Sequence, residues 1–165
     1  MLGIFEMTDK NIQFPWQQDK IVHHSQVLMS SFERWFGRTL LNCNGSPNEI
    51  ARALFEAEFA LVSHGIEADP IFNYGNLKAL ELWELSWEDF TSMPSRQSAE
   101  EIVQEERNRL LAETTAKGFS NYSGVRISSS GKRFRIDDGI IWNLLSADNQ
   151  YCGQAAIFSN YKYLE

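Results

Sequence analysis

The sequence predicts an α+β fold in which helices cover an antiparallel sheet of about five strands. Two turn signals, at 129–132 and 146–150, separate three β-rich runs between residues 118 and 158. Short turns between such runs indicate hairpins, so the strands that they join should pair antiparallel. The chain before residue 118 is largely helical in pattern and can supply the cover that the sheet needs.

The second observation concerns the middle run of the sheet. Its apolar residues fall on positions of one parity: Phe134, Ile136, Ile140 and Trp142. Residues of one parity point to one face of a strand, so the pattern predicts a single apolar face. Arg133 and Arg135 should point the other way.

Composition bounds the functional classes. The 165 residues are 43% hydrophobic and 13% aromatic, enough for one well-packed domain with an extension. The net charge is −7 and there is no basic run, which argues against nucleic acid as a partner. Because the sequence holds no apolar stretch of membrane-spanning length and no signal peptide, we expect a cytoplasmic protein with no membrane partner.

No metal site is predicted. Cys43 and Cys152 form neither a metal-ligand spacing nor a disulfide framework. His23 and His24 are adjacent on a predicted helix and cannot chelate one ion well from one face, so we expect them at the surface.

We expect residues 1–55 to form an arm and a helical extension. Between residues 17 and 41, apolar and aromatic residues such as Phe32 and Phe36 recur at helical spacing, and Gly37 is a natural end for this helix. Its aromatic face must pack either on its own domain, the more frequent arrangement, or on a second copy of the chain.

A second helix and two short strands follow. The capping box Ser46-Pro47-Asn48-Glu49 predicts a helix over 47–56. The apolar runs 59–63 and 71–74 fit two strands.

Three more helices precede the hairpins. Asn76 and Ser86 can cap two short ones, the first with Leu77 on its inward face. A second capping box, beginning at Ser98, predicts a long helix over 99–117. Glutamates crowd the first half of this helix and basic residues, Arg107 among them, its second half, which suits the helix dipole.

This order of elements resembles that of PAS-type sensory domains. The segment 71–83, followed by 86–90, is similar to the PAS pattern of strand, Asn, helix and Ser-x-Glu-Glu-Leu. One set of further motifs comprises Asn76, Gly118-Phe119, Gly124-Val125, Ile127-Ser128-Ser129, Gly131, Trp142 and Ala156-x-Phe158-x-Asn160. A second set comprises Ser63-His64-Gly65, Ala68-Asp69-Pro70, Pro94-Ser95-Arg96, Ser98-Ala99-Glu100, Glu106-Arg107 and Gly153-Gln154-Ala155-Ala156.

With these motifs the chain resembles the MEKHLA domain over about residues 20–163. This PAS-like module occurs alone in cyanobacterial proteins, which carry the second set, and at the C-terminus of plant class III homeodomain–leucine zipper factors, which carry the first. The resemblance implies a PAS-like domain at 56–165 after the extension 1–55. This chain has no homeodomain and no zipper, so the DNA binding of the plant factors does not transfer.

The function that the resemblance implies is a non-catalytic sensory or regulatory module. Such a module would bind a small molecule or a protein partner, and the helix at 17–41 could join two copies into a homodimer. The chain lacks the Asn-Cys-Arg-Phe-Leu-Gln segment of flavin photosensor domains, so light-driven adduct chemistry is not expected. The identity of a cofactor or ligand stays open.

Four residues are the main pocket candidates. Arg126 and Gln154 lie in mid-strand beside apolar positions and could anchor a ligand, with Trp83 and Trp142 as the pocket wall. Parity alone does not settle their faces: the polar pair could equally face solvent, and the indoles could simply fill the core.

His64 and Arg96 are weaker candidates. His64 could form an acid–base pair with Asp69 or Glu67, ligate haem, or simply bond to backbone. Arg96 lies near a predicted helix N-terminus, where backbone N–H groups favour anions, but Glu100 and Glu101 in the first turn would repel one. Arg96 could instead pair with these acids or another loop. These residues support one alternative, a small enzyme, although no nucleophile–base spacing, metal motif or cofactor fingerprint accompanies them. A ligand-free protein-interaction adaptor is the other alternative.

Overall fold

The computed structural model describes residues 14–100 and 103–165, so residues 1–13 of the expected arm lie outside the described part of the chain. The described helices are α1 (Asp19–Phe36), α2 (Pro47–Phe55), α3 (Leu77–Trp83), α4 (Trp87–Phe90) and α5 (Gln104–Lys117). The strands are β1 (Ala60–His64), β2 (Phe72–Gly75), β3 (Phe119–Ile127), β4 (Arg133–Leu145), β5 (Tyr151–Phe158) and β6 (Asn160–Tyr163). Short 3-10 turns occupy Pro15–Gln17 and Ser95–Ser98.

The strands form one antiparallel sheet in the order β2-β1-β5-β4-β3, which confirms the predicted fold class. The short strand β6 was not predicted. It pairs with residues 134–137 of β4, whereas β5 pairs with residues 140–145 of the same strand. The last segment therefore completes the edge that β5 leaves open.

Each face of the sheet carries an apolar core. We call the face that packs against α3, α4 and α5 the inner face, and the face that packs against α1 the outer face. Phe72, Trp83 and Phe90 belong to the inner core, and Leu28 and Phe32 of α1 belong to the outer core.

A β-bulge in β4 changes the face on which its side chains lie. Gly124 pairs with Ile136 and Tyr122 pairs with Gly139, so β4 carries one extra residue between these pairs. Asp138, in this stretch, has a left-handed φ of 56°. Because side chains alternate with a period of two, one inserted residue moves every later side chain to the opposite face.

The bulge divides the apolar residues of β4 between the two cores. Phe134 and Ile136 pack on the inner face, whereas Ile140 and Trp142 pack on the outer face. The prediction that these four residues share one face is therefore wrong. It assumed unbroken alternation along the strand.

Helix α1 packs its aromatic face on the sheet of its own domain and ends at Gly37, which has a left-handed φ of 67°. His23 is exposed as expected, but the expectation for His24 is wrong. The His24 Nε2 atom lies 2.8 Å from the Ser63 hydroxyl, beneath the helix. Packing on β1 draws this histidine inward.

Local capping signals are confirmed at three helices. The hydroxyl of Ser46 accepts a hydrogen bond from the Glu49 N–H, and the Glu49 carboxylate accepts one from the Ser46 N–H. The side chains of Asn76 and Ser86 cap α3 and α4. These bonds satisfy N–H groups that have no partner inside the helix.

Two predictions about helix residues are wrong. Ser98 does not cap the long helix: it lies in a 3-10 turn, donates to the Ser95 carbonyl, and is followed by a helix that begins only at Gln104. Leu77 is 43% exposed, because the buried face of α3 is formed by Ala79, Leu82 and Trp83 instead.

Candidate functional site

A small, partly open cavity of about 60 Å³ lies between the inner face of the sheet and helix α5. Its apolar wall is formed by Val62, Phe72, Trp83, Ile136, Ile141 and Ala156. Ile136 and Ile141 have opposite parity, and the bulge between them is what brings both into one wall. The polar side chains at the cavity are His64, Ser95, Ser98, Arg107, Tyr122 and Arg126.

Two arginines reach the cavity from different elements. Arg107, on α5, is 7% exposed and donates from Nη2 to the Ser95 hydroxyl. Arg126, on β3, donates from Nη1 to the Val125 carbonyl at 2.9 Å and lies 5.9 Å from the centroid of the Tyr122 ring. Among the described residues, no carboxylate forms an ion pair with either guanidinium.

Arg107 is buried and Arg126 is half-buried, so both guanidinium groups are partly removed from water. Burial, followed by the positive charge of Arg126, lowers the pKa of Arg107 to about 10, while Asp69 acts in the opposite direction. Burial also lowers the pKa of Arg126, and Tyr122 and Glu106 oppose that shift. Both groups remain protonated at neutral pH. The cavity therefore combines apolar walls with positive charge.

His64 contributes a neutral imidazole to the same cavity. Its Nδ1 atom lies 3.0 Å from the Gly65 carbonyl, which can only accept, so Nδ1 carries the proton. Burial is the main cause that lowers the pKa of His64, and the charge of Arg107 also lowers it. The Nε2 atom is buried without a hydrogen bond of good geometry within the described chain, although the Gln154 amide lies beside it.

Of the four main candidates from the sequence, two line the cavity. Trp83 forms part of the apolar wall, and Arg126 is one of the two cations. Trp142 lies on the outer face, after the bulge, against Phe32. It is therefore separated from Trp83 by the thickness of the sheet.

Gln154 faces the inner side but serves a structural contact. Its amide nitrogen donates to the Leu111 carbonyl at 3.1 Å, the Thr115 hydroxyl at 3.0 Å and the Asn143 Oδ1 at 3.1 Å. These bonds tie β5 and β4 to α5. They fix the helix that carries Arg107 over the sheet.

The residues of the predicted acid–base pair are engaged separately. The Asp69 carboxylate pairs with Arg96 at 3.1 Å on the exposed surface. The Glu67 carboxylate accepts a hydrogen bond from the Ile71 N–H at 3.1 Å. His64 is bonded to backbone, and Arg96 does not line the inner cavity. The structure therefore does not bring these side chains together as a catalytic pair.

Sequence reasoning did not single out Arg107 as a site residue. It assigned this residue to the charge pattern of the long helix. Arg107 in fact shares a helix face with Leu110, Leu111 and the buried Thr114. Its spacing of three, four and seven from these residues was the signal that could have identified it as inward-facing.

A surface cleft of about 360 Å³ lies between α5 and β3, next to the cavity. Both spaces are lined by Arg107, Leu110, Tyr122 and Arg126. The two arginines therefore lie where the cavity and the cleft meet.

Two other kinds of site receive no support. Residues 14–100 and 103–165 contain no group of three His, Cys, Asp or Glu side chains that could hold a metal ion. No helix within these ranges combines the length and apolarity needed to cross a bilayer.

The sheet order, the helices on its inner face and the cavity between them define the fold of a PAS domain. The family model for the MEKHLA domain matches residues 22–163, so the chain belongs to the MEKHLA domain family. No curated protein matches the sequence.

Solved structures support the same fold. The PAS domain of a protein from Colwellia psychrerythraea aligns with a TM-score of 0.59 at 14% identity, over 69% of this chain and 92% of that chain. A PAS domain from a two-component sensor histidine kinase aligns with a TM-score of 0.53 at 17% identity, over 68% of this chain and 91% of that one. An RNA-binding light-oxygen-voltage receptor aligns with a TM-score of 0.59 at 12% identity, over 71% of this chain but only 36% of that chain.

Proposed function

We propose that this protein is a non-catalytic sensory module that binds a small molecule in the inner cavity and reports binding by a change in packing. The observation that carries the proposal is an interior cavity with apolar walls and two converging arginines, in direct contact with a surface cleft. Apolar enclosure with a few polar anchors is typical of ligand sites. Membership of a PAS-like family supports the same conclusion.

The size of the cavity limits the ligand. Drug-sized ligands occupy roughly 300–1,000 Å³, far more than the cavity of about 60 Å³. A flavin or a haem is too large for this cavity alone. We therefore expect a small ligand, alone or with a larger part that extends into the cleft.

A small enzyme is the less supported alternative. It would need solvent-reachable acid–base groups within hydrogen-bond reach of each other. His64 is buried and bonded to backbone, while Asp69 and Arg96 neutralise each other at the surface. This arrangement favours a binding role for the site.

We also propose that helix α1 could bind a protein partner or a second copy of the chain. The aromatic face of this helix is occupied by its own sheet, so a partner would have to use the exposed side. The division into an extension at 1–55 and a domain at 56–165 also stays a prediction. The thiols of Cys43 and Cys152 are free, which suits the cytoplasm that we propose as its location.

The proposal is tested by filling the cavity with a larger side chain and asking whether ligand binding is lost. Native mass spectrometry and an absorption spectrum of the purified protein would first detect a ligand that co-purifies. A thermal-shift screen of small acids, amides, alcohols and sugars would then use wild type, Ala156→Leu and Ala112→Leu. Ala156 lines the cavity, whereas Ala112 is exposed on α5 and is the matched control.

We expect a compound that raises the Tm of wild type and Ala112→Leu but not of Ala156→Leu, since a ligand that binds only the folded state stabilises it. A compound that stabilises all three proteins equally would place binding elsewhere. If nothing co-purifies and no compound raises the Tm, the proposed function is wrong.

A further inference from the structure

We propose that the ligand of the inner cavity is a small carboxylate with a compact apolar body, whose carboxylate group binds between the guanidinium groups of Arg107 and Arg126. This inference rests on the function proposed above and specifies the chemical class of the ligand.

Five of the seven arginines outside the cavity form ion pairs, whereas Arg34 and Arg38 form none among the described residues but are exposed to water. Among the described residues, ion pairs with Asp or Glu are formed by Arg52, Arg96, Arg109, Arg133 and Arg135. Arg107 and Arg126 form no such pair within the same part of the chain, although they line an interior space where a counter-charge matters most.

An uncompensated charge in the interior is costly, and two like charges at one cavity add repulsion. Arg107 donates to the Ser95 hydroxyl and Arg126 to the Val125 carbonyl, which are both neutral acceptors. A guanidinium carries five N–H donors, so most of them remain for an anion that enters the cavity. A bound anion would therefore offset the electrostatic cost of placing these two positive charges at one cavity.

The carboxylates that act on these arginines from a distance do not take that place. Asp69 is already paired with Arg96 at the surface. Glu106 is exposed on α5 and lines the adjoining cleft, but among the described residues it forms no ion pair with either arginine. Glu101 lies outside the described residues and is therefore addressed by experiment.

A carboxylate fits the site better than an inorganic anion. Its two oxygens match the planar fork of a guanidinium, and two guanidinium groups can share them. The rest of the wall, including Val62, Ile136 and Ile141, is apolar and suits a hydrocarbon group. Inorganic phosphate would leave that wall unfilled.

The volume indicates how large the buried group can be. One water molecule requires about 10–15 Å³ on this measure, so the cavity of about 60 Å³ admits a group of only a few heavy atoms. The adjoining cleft of about 360 Å³ begins at the same two arginines and can accept a polar remainder of the ligand.

The probes are benzoate and butyrate, with benzamide and butyramide as their neutral isosteres, and inorganic phosphate. Binding is measured by calorimetry and by thermal shift on the full chain. The variants are Arg107→Met and Arg126→Met, which keep apolar length but remove the charge. Arg52→Met is the matched control, because Arg52 is exposed on α2, pairs with Glu56 and lines neither the cavity nor the cleft.

We expect at least one acid to bind and its amide to bind at least about tenfold more weakly, the factor typical of a lost hydrogen bond to a charged group. Arg107→Met and Arg126→Met should weaken binding of the acid by a similar factor. Arg52→Met should leave it within about twofold, as expected for an exposed charge.

A second readout needs no ligand. If Arg126 is an unpaired cation, Arg126→Met should unfold at the same temperature as wild type or at a higher one. A Tm lowered by several degrees would instead make Arg126 a structural residue and overturn the inference. Glu101→Gln should leave the Tm unchanged; a lowered Tm together with tighter binding of acids would identify Glu101 as an internal counter-ion and also overturn it.

The remaining outcomes separate this inference from the proposed function. If the amides bind as well as the acids, the cavity binds ligands but the carboxylate assignment is wrong. Phosphate binding as tight as benzoate binding would replace it with an inorganic anion. If none of the acids binds while neutral compounds of the wider screen do, the carboxylate inference fails and the sensory function stands. If no compound binds at all, both fail.

Discussion

The indole of Trp142 packs edge-on against the ring of Phe32, with ring centroids 5.1 Å apart and ring planes at 76°. Both side chains are fully buried, and they join β4 to α1 across the outer face of the sheet. This geometry is favoured because the edge and the face of an aromatic ring carry opposite partial charges. The contact anchors the N-terminal helix on the domain.

Trp142→Ala should lower the free energy of unfolding by about 3–5 kcal/mol, because it removes a large buried side chain. In a double-mutant cycle with Phe32→Ala, we expect a coupling energy of about 0.5–1.5 kcal/mol. Urea melts measure both quantities. Leu77→Ala, at an exposed position of α3, is the control and should change stability by less than about 0.5 kcal/mol. Strict additivity of Trp142→Ala and Phe32→Ala would show that the two rings do not interact.

A chain that begins at residue 56 should fail to unfold cooperatively. Without α1 the outer face exposes Leu61, Tyr74 and Trp142, which are fully buried in the intact protein. Urea melts and binding of a hydrophobic dye measure the effect, with a chain that begins at residue 14 as the control. A sharp transition and no dye binding would instead show that 56–165 folds as an independent domain.

Asn76 should be among the polar residues most sensitive to substitution. Its Oδ1 accepts from the N–H groups of Leu61 and Ala79, and its Nδ2 donates to the carbonyls of Leu54 and Phe59, all at 2.9–3.2 Å. Asn76→Ala removes four hydrogen bonds, two of them from the buried N–H groups of Leu61 and Ala79, and should cost about 3 kcal/mol or more.

Ser86→Ala, which loses only an exposed helix cap, is the comparison for Asn76→Ala and should cost about 1 kcal/mol. Urea melts of the two variants give the difference directly. Similar losses would indicate that water replaces the bonds of Asn76.

Stability should fall between pH 7 and pH 5. Burial, and secondly the charge of His23, lowers the pKa of His24 from 6.5 to about 4. In the unfolded chain His24 therefore binds a proton below about pH 6.5, whereas in the folded chain it binds one only below about pH 4. Because the unfolded state binds more protons in this window, lowering the pH favours it, by about 2 kcal/mol at pH 5.

Urea melts at several pH values test this linkage. His24→Gln should lose most of the slope, whereas His23→Gln, at an exposed position, should keep most of it. The lowered pKa of His64 has the same sign and leaves a residual slope. Parallel pH profiles for wild type and His24→Gln would contradict the assignment.

The order of elements could be predicted because its signals are local. Ser46, Asn76 and Ser86 each place an oxygen where helix N–H groups need one, and Gly37 and Gly118 end helices through positive φ. Ser98 carries the same kind of signal, but a 3-10 turn uses its hydroxyl first. Competition between two local structures cannot be decided from spacing alone.

The site was less predictable because it depends on long-range register. Arg126 and Trp83 were identified from their position beside apolar residues, and they do line the cavity. Trp142 was placed on the wrong face because Asp137-Asp138-Gly139 was read as part of an even strand. Arg107 was assigned to the charge pattern of the helix, because a buried arginine is rare.

The bulge at Asp138 acts like a frameshift in space, because it decides the face on which every later side chain of β4 lies. With one residue fewer between Ile136 and Gly139, every later side chain of β4 would lie on the opposite face of the sheet. The indole of Trp142 would then point into the inner cavity, which Arg107 and Arg126 line, and Ile141 would turn toward α1. The length of this short segment, more than its composition, decides which side chains of β4 line the inner cavity and which join the outer core. The segment should therefore tolerate substitution far better than insertion or deletion.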